Sequence, residues 1–95
     1  MSGNRAKAMR ESLIEQTVSK FAKRNGWLTF KWVSPNNRGV PDRLFFRAGQ
    51  LVLVEFKATG QKLTKLQALV HKKLEGEGFR VHVVDSIEEG IALFA

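Results

Sequence analysis

The chain has no cysteine and only two prolines among its 95 residues. Without thiols there is no disulfide and no thiolate-held metal. The two histidines, His71 and His82, are not at zinc-ligand spacing, which leaves a hard, oxygen-bound cation as the open metal class. No apolar run approaches the roughly 20 residues that cross a bilayer, so no membrane association is expected. No internal repeat or low-complexity tract is present. The first ten residues are polar and basic with no apolar stretch behind them, unlike a signal peptide, so the expected location is intracellular and cytoplasmic. Basic residues are missing from one end: all 16 Lys and Arg fall within residues 1–80, against six acids there, whereas residues 81–95 carry Asp85, Glu88 and Glu89 and no base. A net charge of +7 spread in this way suits a polyanionic partner, nucleic acid first among them; a basic domain with no nucleic-acid role is the alternative. At this length one domain over residues 1–95 is expected, with a modest core that dimerisation would supplement.

What is present reads as alternating elements. Leu13, Ile14, Val18, Phe21 and Ala22 recur at helical spacing and predict a helix over residues 6–25, stopped by Asn25-Gly26. Ser12 and Glu15 are also spaced as a capping box, which would start the helix later. Alternation predicts a strand over 27–33, then a loop over 34–41 rich in Pro, Asn and Gly. A second strand over 43–47 and a turn at 48–50 lead to a third strand over 51–57, apolar on both faces and therefore central. After a break at 59–61, Thr64 is a good N-cap for a helix over 65–75 with Leu66, Leu69, Val70 and Leu74 on one face. A fourth strand over 80–84 and a short final helix capped by Ser86 and Glu89 complete the chain. The crossover from third to fourth strand predicts a parallel pair. The expected fold is α/β: a mixed sheet flanked by helices, in the order helix, three strands, helix, strand, plus a short C-terminal helix.

The charges on this frame are informative. Asp42 follows Pro41 at the mouth of the second strand. Glu55 and Lys57, two apart on the third, point to the same face, the face of Leu51 and Leu53. Two charges finishing an apolar strand are costly unless paired or ligated. Phosphodiester hydrolysis needs a cation against the phosphate and a water held in line and activated. Asp42 and Glu55 can supply hard oxygen ligands for Mg²⁺ or Mn²⁺, the backbone carbonyl of Phe56 is a plausible third, and Lys57 can orient the water and offset developing charge. The plainer reading is a turn aspartate beside a solvated Glu–Lys pair.

Pro41-Asp42 followed by Glu55-Phe56-Lys57 resembles the PD-(D/E)xK nuclease pattern. The longer strings Arg38-Gly39-Val40-Pro41-Asp42, Val54-Glu55-Phe56-Lys57-Ala58 and Leu63-Thr64-Lys65-Leu66-Gln67 resemble the VRR-NUC domain, whose minimal, free-standing form occurs in bacteriophages and bacteria and which also ends a large eukaryotic DNA-crosslink repair nuclease. The resemblance runs from the first helix through the fourth strand. It implies a restriction-endonuclease-like core and Mg²⁺- or Mn²⁺-dependent endonuclease activity on DNA. It carries metal-ligand roles to Asp42 and Glu55, and catalytic roles to Lys57 and Gln67. It also asks for an acid on the first helix: Glu15, at the edge of the apolar stripe, with Glu11 one turn earlier as second choice. Glu15 could instead serve the Ser12 capping box, and Gln67 is itself in a capping box with Thr64. Both roles of Gln67 are compatible, and the helix N-terminus would bring Thr64 and Lys65 to a phosphate. Arg38 is a further candidate DNA contact, or a solvated loop arginine. Trp27 and Trp32 suit core or dimer contact better than base stacking. His71, one turn beyond Gln67, reads first as a surface histidine, with a supporting role behind the site as the alternative.

Minimal proteins of this kind are associated with four-way junctions cut as homodimers, since two symmetric sites match two symmetric strands. The expectation is therefore a homodimeric, structure-selective DNA endonuclease acting on structured or branched DNA, recognised through shape and phosphates. If so, it acts in the host cytoplasm where a phage encodes it. A non-catalytic DNA-binding module and a nuclease subunit active only with a partner are the competing expectations.

Overall fold

A computed structural model describes residues 8–95. The elements are α1 (Glu11–Arg24), β1 (Leu28–Lys31), β2 (Arg43–Arg47), β3 (Gln50–Phe56), α2 (Lys65–Gly76), β4 (Val81–Val84) and α3 (Ile87–Phe94). The strands form one mixed sheet in the order β1-β2-β3-β4. β1–β2 and β2–β3 are antiparallel and β3–β4 is parallel, as the crossover through α2 predicts. The α/β class, the element order and the central place of β3 match the sequence expectation.

Strand alternation sorts the side chains onto two faces. One face, with Phe45, Val54, Phe56 and Val84, meets Ile14, Val18 and Ala22 of α1 and Phe94 of α3 in the main core. Trp27 packs edge-on against Phe94 at 5.1 Å, a core contact and not a stacking platform. The opposite face carries Leu44, Leu51, Leu53, Glu55 and Lys57, and α2 covers only part of it. Leu28, Phe30, Phe46 and Leu51 stay exposed there.

Three local expectations are corrected. The first helix begins at Glu11, not residue 6, with Arg10 as N-cap and no side-chain cap; residues 6 and 7 lie outside the described residues. Met9 is tied to Thr59 through both its N–H and its carbonyl, and that pairing draws the segment out of the helix. Ser12 therefore sits inside the first turn and forms no capping box, so Glu15 is free of that duty. β1 is shorter than expected because Trp27 turns into the core, although the Trp32 N–H still donates to the Asp42 carbonyl. Finally, the apolar side of α2 is not a core face: Leu66 and Leu69 are exposed, and the helix's buried residue is His71.

The loop that delivers Asp42 is pressed onto α2 at Gly39. This glycine has φ +89°, and a Cβ there would lie 3.0 Å from both the Leu66 carbonyl oxygen and Val70. Gly39→Ala meets a left-handed penalty and a backbone clash together. It is expected to lower stability by about 1–2 kcal/mol, read as the shift in thermal denaturation.

Candidate active site

β2 leaves β3 at one end of the sheet, and the candidate residues gather where they part. Register pairing runs from Arg47↔Gln50 to Arg43↔Val54 and stops. Pro41, fully buried, has no N–H to continue the ladder. The Asp42 side chain takes over: its Oδ2 accepts the Phe56 N–H at 2.7 Å. On the other edge, the Lys57 N–H donates to the Val84 carbonyl at 2.9 Å. The N–H and C=O of one strand residue leave on the same edge, so the Phe56 carbonyl also issues toward the gap beside Asp42.

Glu55 is at the centre, 1% exposed, with Lys57 7% exposed beside it. The Lys57 Nζ is 3.9 Å from Glu55 Oε2, and the Gln67 Nε2 donates to the same oxygen at 3.1 Å. Gln67 holds two posts at once. Its Oε1 accepts the Thr64 N–H while the Thr64 hydroxyl accepts the Gln67 N–H, a complete capping box. The cap fixes the first turn of α2, and the first turn fixes the amide on Glu55.

The two carboxyls cannot both carry charge comfortably. Burial first, and then the Asp42 charge, push the Glu55 carboxyl up to about 8, with Lys57 pulling the other way. Asp42 is also raised, chiefly by burial, against the lowering effect of its bond from Phe56. One proton shared between the pair relieves the repulsion; a divalent cation would relieve it better. Glu55 Oε1 is shut from water and meets no hydrogen-bond donor among the described residues. An orphaned anionic oxygen beside a second carboxylate fits a hard cation. Among the described residues no three carboxylate or imidazole groups gather into a side-chain cage, so Asp42 and Glu55 would need backbone, water or phosphate oxygens to complete the shell, as Mg²⁺ commonly does.

These shifts set a pH dependence. The folded Glu55 carboxyl titrates near 8, far above its ordinary 4.5. Between those values the native state holds a proton that the unfolded state has lost, so stability falls as pH rises. His71 and His82 are lowered from 6.5 by burial and act in the opposite sense only below that value. From about pH 6.5 to 8 the slope therefore belongs to Glu55. The metal-free protein is expected to lose melting temperature across this window, and added Mg²⁺ or Mn²⁺ to flatten the loss, checked by thermal shift at each pH.

The helical acids separate. Glu15 is bound by the Arg43 Nε at 2.8 Å and lies 3.6 Å from the Lys31 Nζ. Arg43 and Lys31 project on the α1 side of the sheet, opposite Glu55, and Glu15 reaches the centre only by raising Asp42. Glu11, in the first turn of α1, is raised by burial and then by Asp42, and Lys57 opposes the shift; its charge in turn acts on Glu55. Arg43, unnoticed in the sequence, is what holds Glu15: it follows Asp42, and strand alternation sends it to the other face. His71 corrects the sequence reading, being 5% exposed and directed at Glu55. Arg38 and Lys65 are exposed, and Thr64 is committed to its cap. Arg38 lies with Trp32, Asn36, Asn37, Leu66 and Val70 along a cleft of about 510 Å³ between the 34–41 loop and α2.

No family model matches the chain. A search of curated proteins finds it 40% identical over 79 residues to the "Putative nuclease p44" of Acyrthosiphon pisum secondary endosymbiont phage 1, covering 82% of this chain and 85% of that one. Among solved structures it superposes on a "VRR_NUC domain" with TM-score 0.81 and 25% identity, over 87% of this chain and 91% of the other.

Proposed function

The chain belongs to the VRR-NUC family of nucleases, and from that premise we propose that it is a divalent-cation-dependent endonuclease hydrolysing phosphodiester bonds in DNA. The observation that carries the proposal is the carboxyl pair of half-buried Asp42 and buried Glu55, with Lys57 beside it at the parting of β2 and β3. Asp42, Glu55 and the Phe56 carbonyl would hold the cation. A bound Mg²⁺ or Mn²⁺ would supply positive charge against the phosphate and acidify the attacking water. Lys57 would orient the attacking water and offset negative charge developing on the phosphate. Gln67, donating to Glu55 Oε2, would fix the Glu55 carboxylate as a ligand. Arg38 and Lys65, both exposed, and the capped N-terminus of α2 at Thr64 would contact flanking phosphates.

For the helical acid we assign Glu11, which Asp42 raises and Lys57 lowers and whose charge in turn raises Glu55, and give Glu15, whose charge raises Asp42, the structural task of holding Arg43. Glu11→Gln is expected to lower cleavage about 10- to 100-fold with the fold intact. Glu15→Gln is expected to cost about 1–2 kcal/mol of stability, because Arg43 loses its partner, with most activity kept. Cleavage rates and melting curves of the two variants, measured together, check the assignment; equal loss of activity in both would reverse it.

The substrate reading is structured DNA, four-way junctions first, cut by a homodimer. The uncovered sheet face with Leu28, Phe30, Phe46 and Leu51 is the kind of apolar surface a second copy would cover, and a twofold dimer would present two sites to two strands. The net charge of +7 suits recognition through phosphates. The test is a panel of labelled junction, flap, splayed and linear DNAs with Mg²⁺ or Mn²⁺, alongside sedimentation mass. Junctions cut by a dimer support the reading. If every DNA survives, or Asp42→Asn cuts as well as wild type, it fails.

A further inference from the structure

α2 docks on the sheet through an unusual residue. Its leucines at 66 and 69 face solvent, and the side chain it buries is the imidazole of His71. His71 lies one helical turn after Gln67, so both project from the same side of α2. Gln67 donates to Glu55 Oε2 at 3.1 Å. The His71 Nε2 faces the other oxygen, Oε1, at 3.7 Å. Both of these atoms are closed off from water, and neither has a hydrogen-bond partner among the described residues. A separation of 3.7 Å is longer than a formed hydrogen bond. Two unpaired buried polar atoms, one able to donate and one able only to accept when ionised, nevertheless carry a penalty that a small rotation would remove. Hydrogen bonds in unliganded active sites are commonly long and tighten when the site is loaded.

We propose that His71 is a positioning residue: its Nε2–H closes onto Glu55 Oε1 and, with Gln67 on Oε2, fixes the carboxylate in the orientation that receives the cation. α2 thus grips Glu55 by both oxygens through side chains one turn apart. The imidazole carries its proton on Nε2. It touches neither substrate nor phosphate; it acts through Glu55. The inference rests on the cation-site reading of Glu55, but not on DNA cleavage.

The test uses the full chain and Mn²⁺ alone, titrated calorimetrically without DNA, for wild type, His71→Phe and His71→Gln. Phenylalanine keeps the bulk and removes the donor, while glutamine places an amide N–H near the position of Nε2. The expected result is an Mn²⁺ affinity about 10-fold weaker in His71→Phe, largely restored in His71→Gln. In cleavage assays kcat falls with KM for DNA unchanged. Nitrogen chemical shifts of the wild-type imidazole should show the Nε2–H tautomer in the Mg²⁺-loaded protein, a measurement that needs no variant to fold. Wild-type Mn²⁺ affinity in a folded His71→Phe, equal losses in the phenylalanine and glutamine variants, an Nδ1–H tautomer with bare Nε2, or no Mn²⁺ binding by wild type would each overturn the proposal. His71-dependent Mn²⁺ binding without cleavage of any DNA would instead leave it standing and remove the nuclease reading.

Discussion

Asp42→Asn is expected to abolish cation-dependent cleavage and, at the same time, to raise the melting temperature of the metal-free protein. The two effects share one cause. Asp42 and Glu55 are held close with too little neutralising charge between them, and after burial the Asp42 charge is the largest influence raising Glu55. Asparagine is nearly isosteric, and its carbonyl can still accept the Phe56 N–H now taken by Oδ2 at 2.7 Å. The strand end is therefore kept while the repulsion goes. Loss of one charged ligand should reduce the rate on the order of 10³-fold. Relief of the carboxylate repulsion should add on the order of 1 kcal/mol, about 4–8 °C in a domain of this size. The fall in melting temperature between pH 6.5 and 8 should flatten, because Glu55 then ionises more readily. Melting curves with and without Mn²⁺, set beside single-turnover cleavage, read both arms. A variant that loses activity by losing stability would contradict the account.

Lys57→Met is expected to be as damaging to the chemistry and opposite in its pH signature. The lysine is the main influence keeping Glu55 from rising further, and it sits 3.9 Å from Glu55 Oε2. Methionine fills similar space in a site that is 7% exposed but brings no charge. The rate should fall about 10²- to 10³-fold from loss of the cationic group proposed to face the phosphate. Glu55 should also hold its proton to higher pH, so more Mg²⁺ is needed for half-maximal activity at pH 7 than at pH 8.5. The stability slope between pH 6.5 and 8 should shift upward in pH, where Asp42→Asn flattens it. Metal titrations of activity at the two pH values, with melting curves across the window, separate the variants. If both gave the same pH response, Asp42 and Lys57 would not be acting on Glu55 with opposite sign.

Much of the site was legible because it is built from short-range rules. A period of two puts Glu55 and Lys57 on one face of a strand. Pro41-Asp42 after a loop of Pro, Asn and Gly marks the mouth of the second strand. Thr64 and Gln67, three residues apart at a helix start, announce a capping box that the structure contains. Less was legible where a residue's role depends on what packs over it. The apolar spacing of Leu66, Leu69, Val70 and Leu74 predicts a core face, yet two of these leucines are exposed because α2 covers only one end of its side of the sheet. The first helix starts late because Met9 finds its partner at Thr59, 50 residues along the chain.

By itself the sequence determined the fold class and the element order from periodicity and turn chemistry, and it offered Asp42, Glu55 and Lys57 as a candidate centre, with roles that the family resemblance implied. Only the tertiary structure set Glu11 and Glu15 in different surroundings and buried His71 against Glu55. Glu15 is claimed by Arg43, 28 residues away and on the other side of the sheet. His71 is buried because the end of β3 comes to lie under α2. Ionisation and hydrogen bonding depend on burial and on neighbours brought together by folding, and those distances are not written in local spacing.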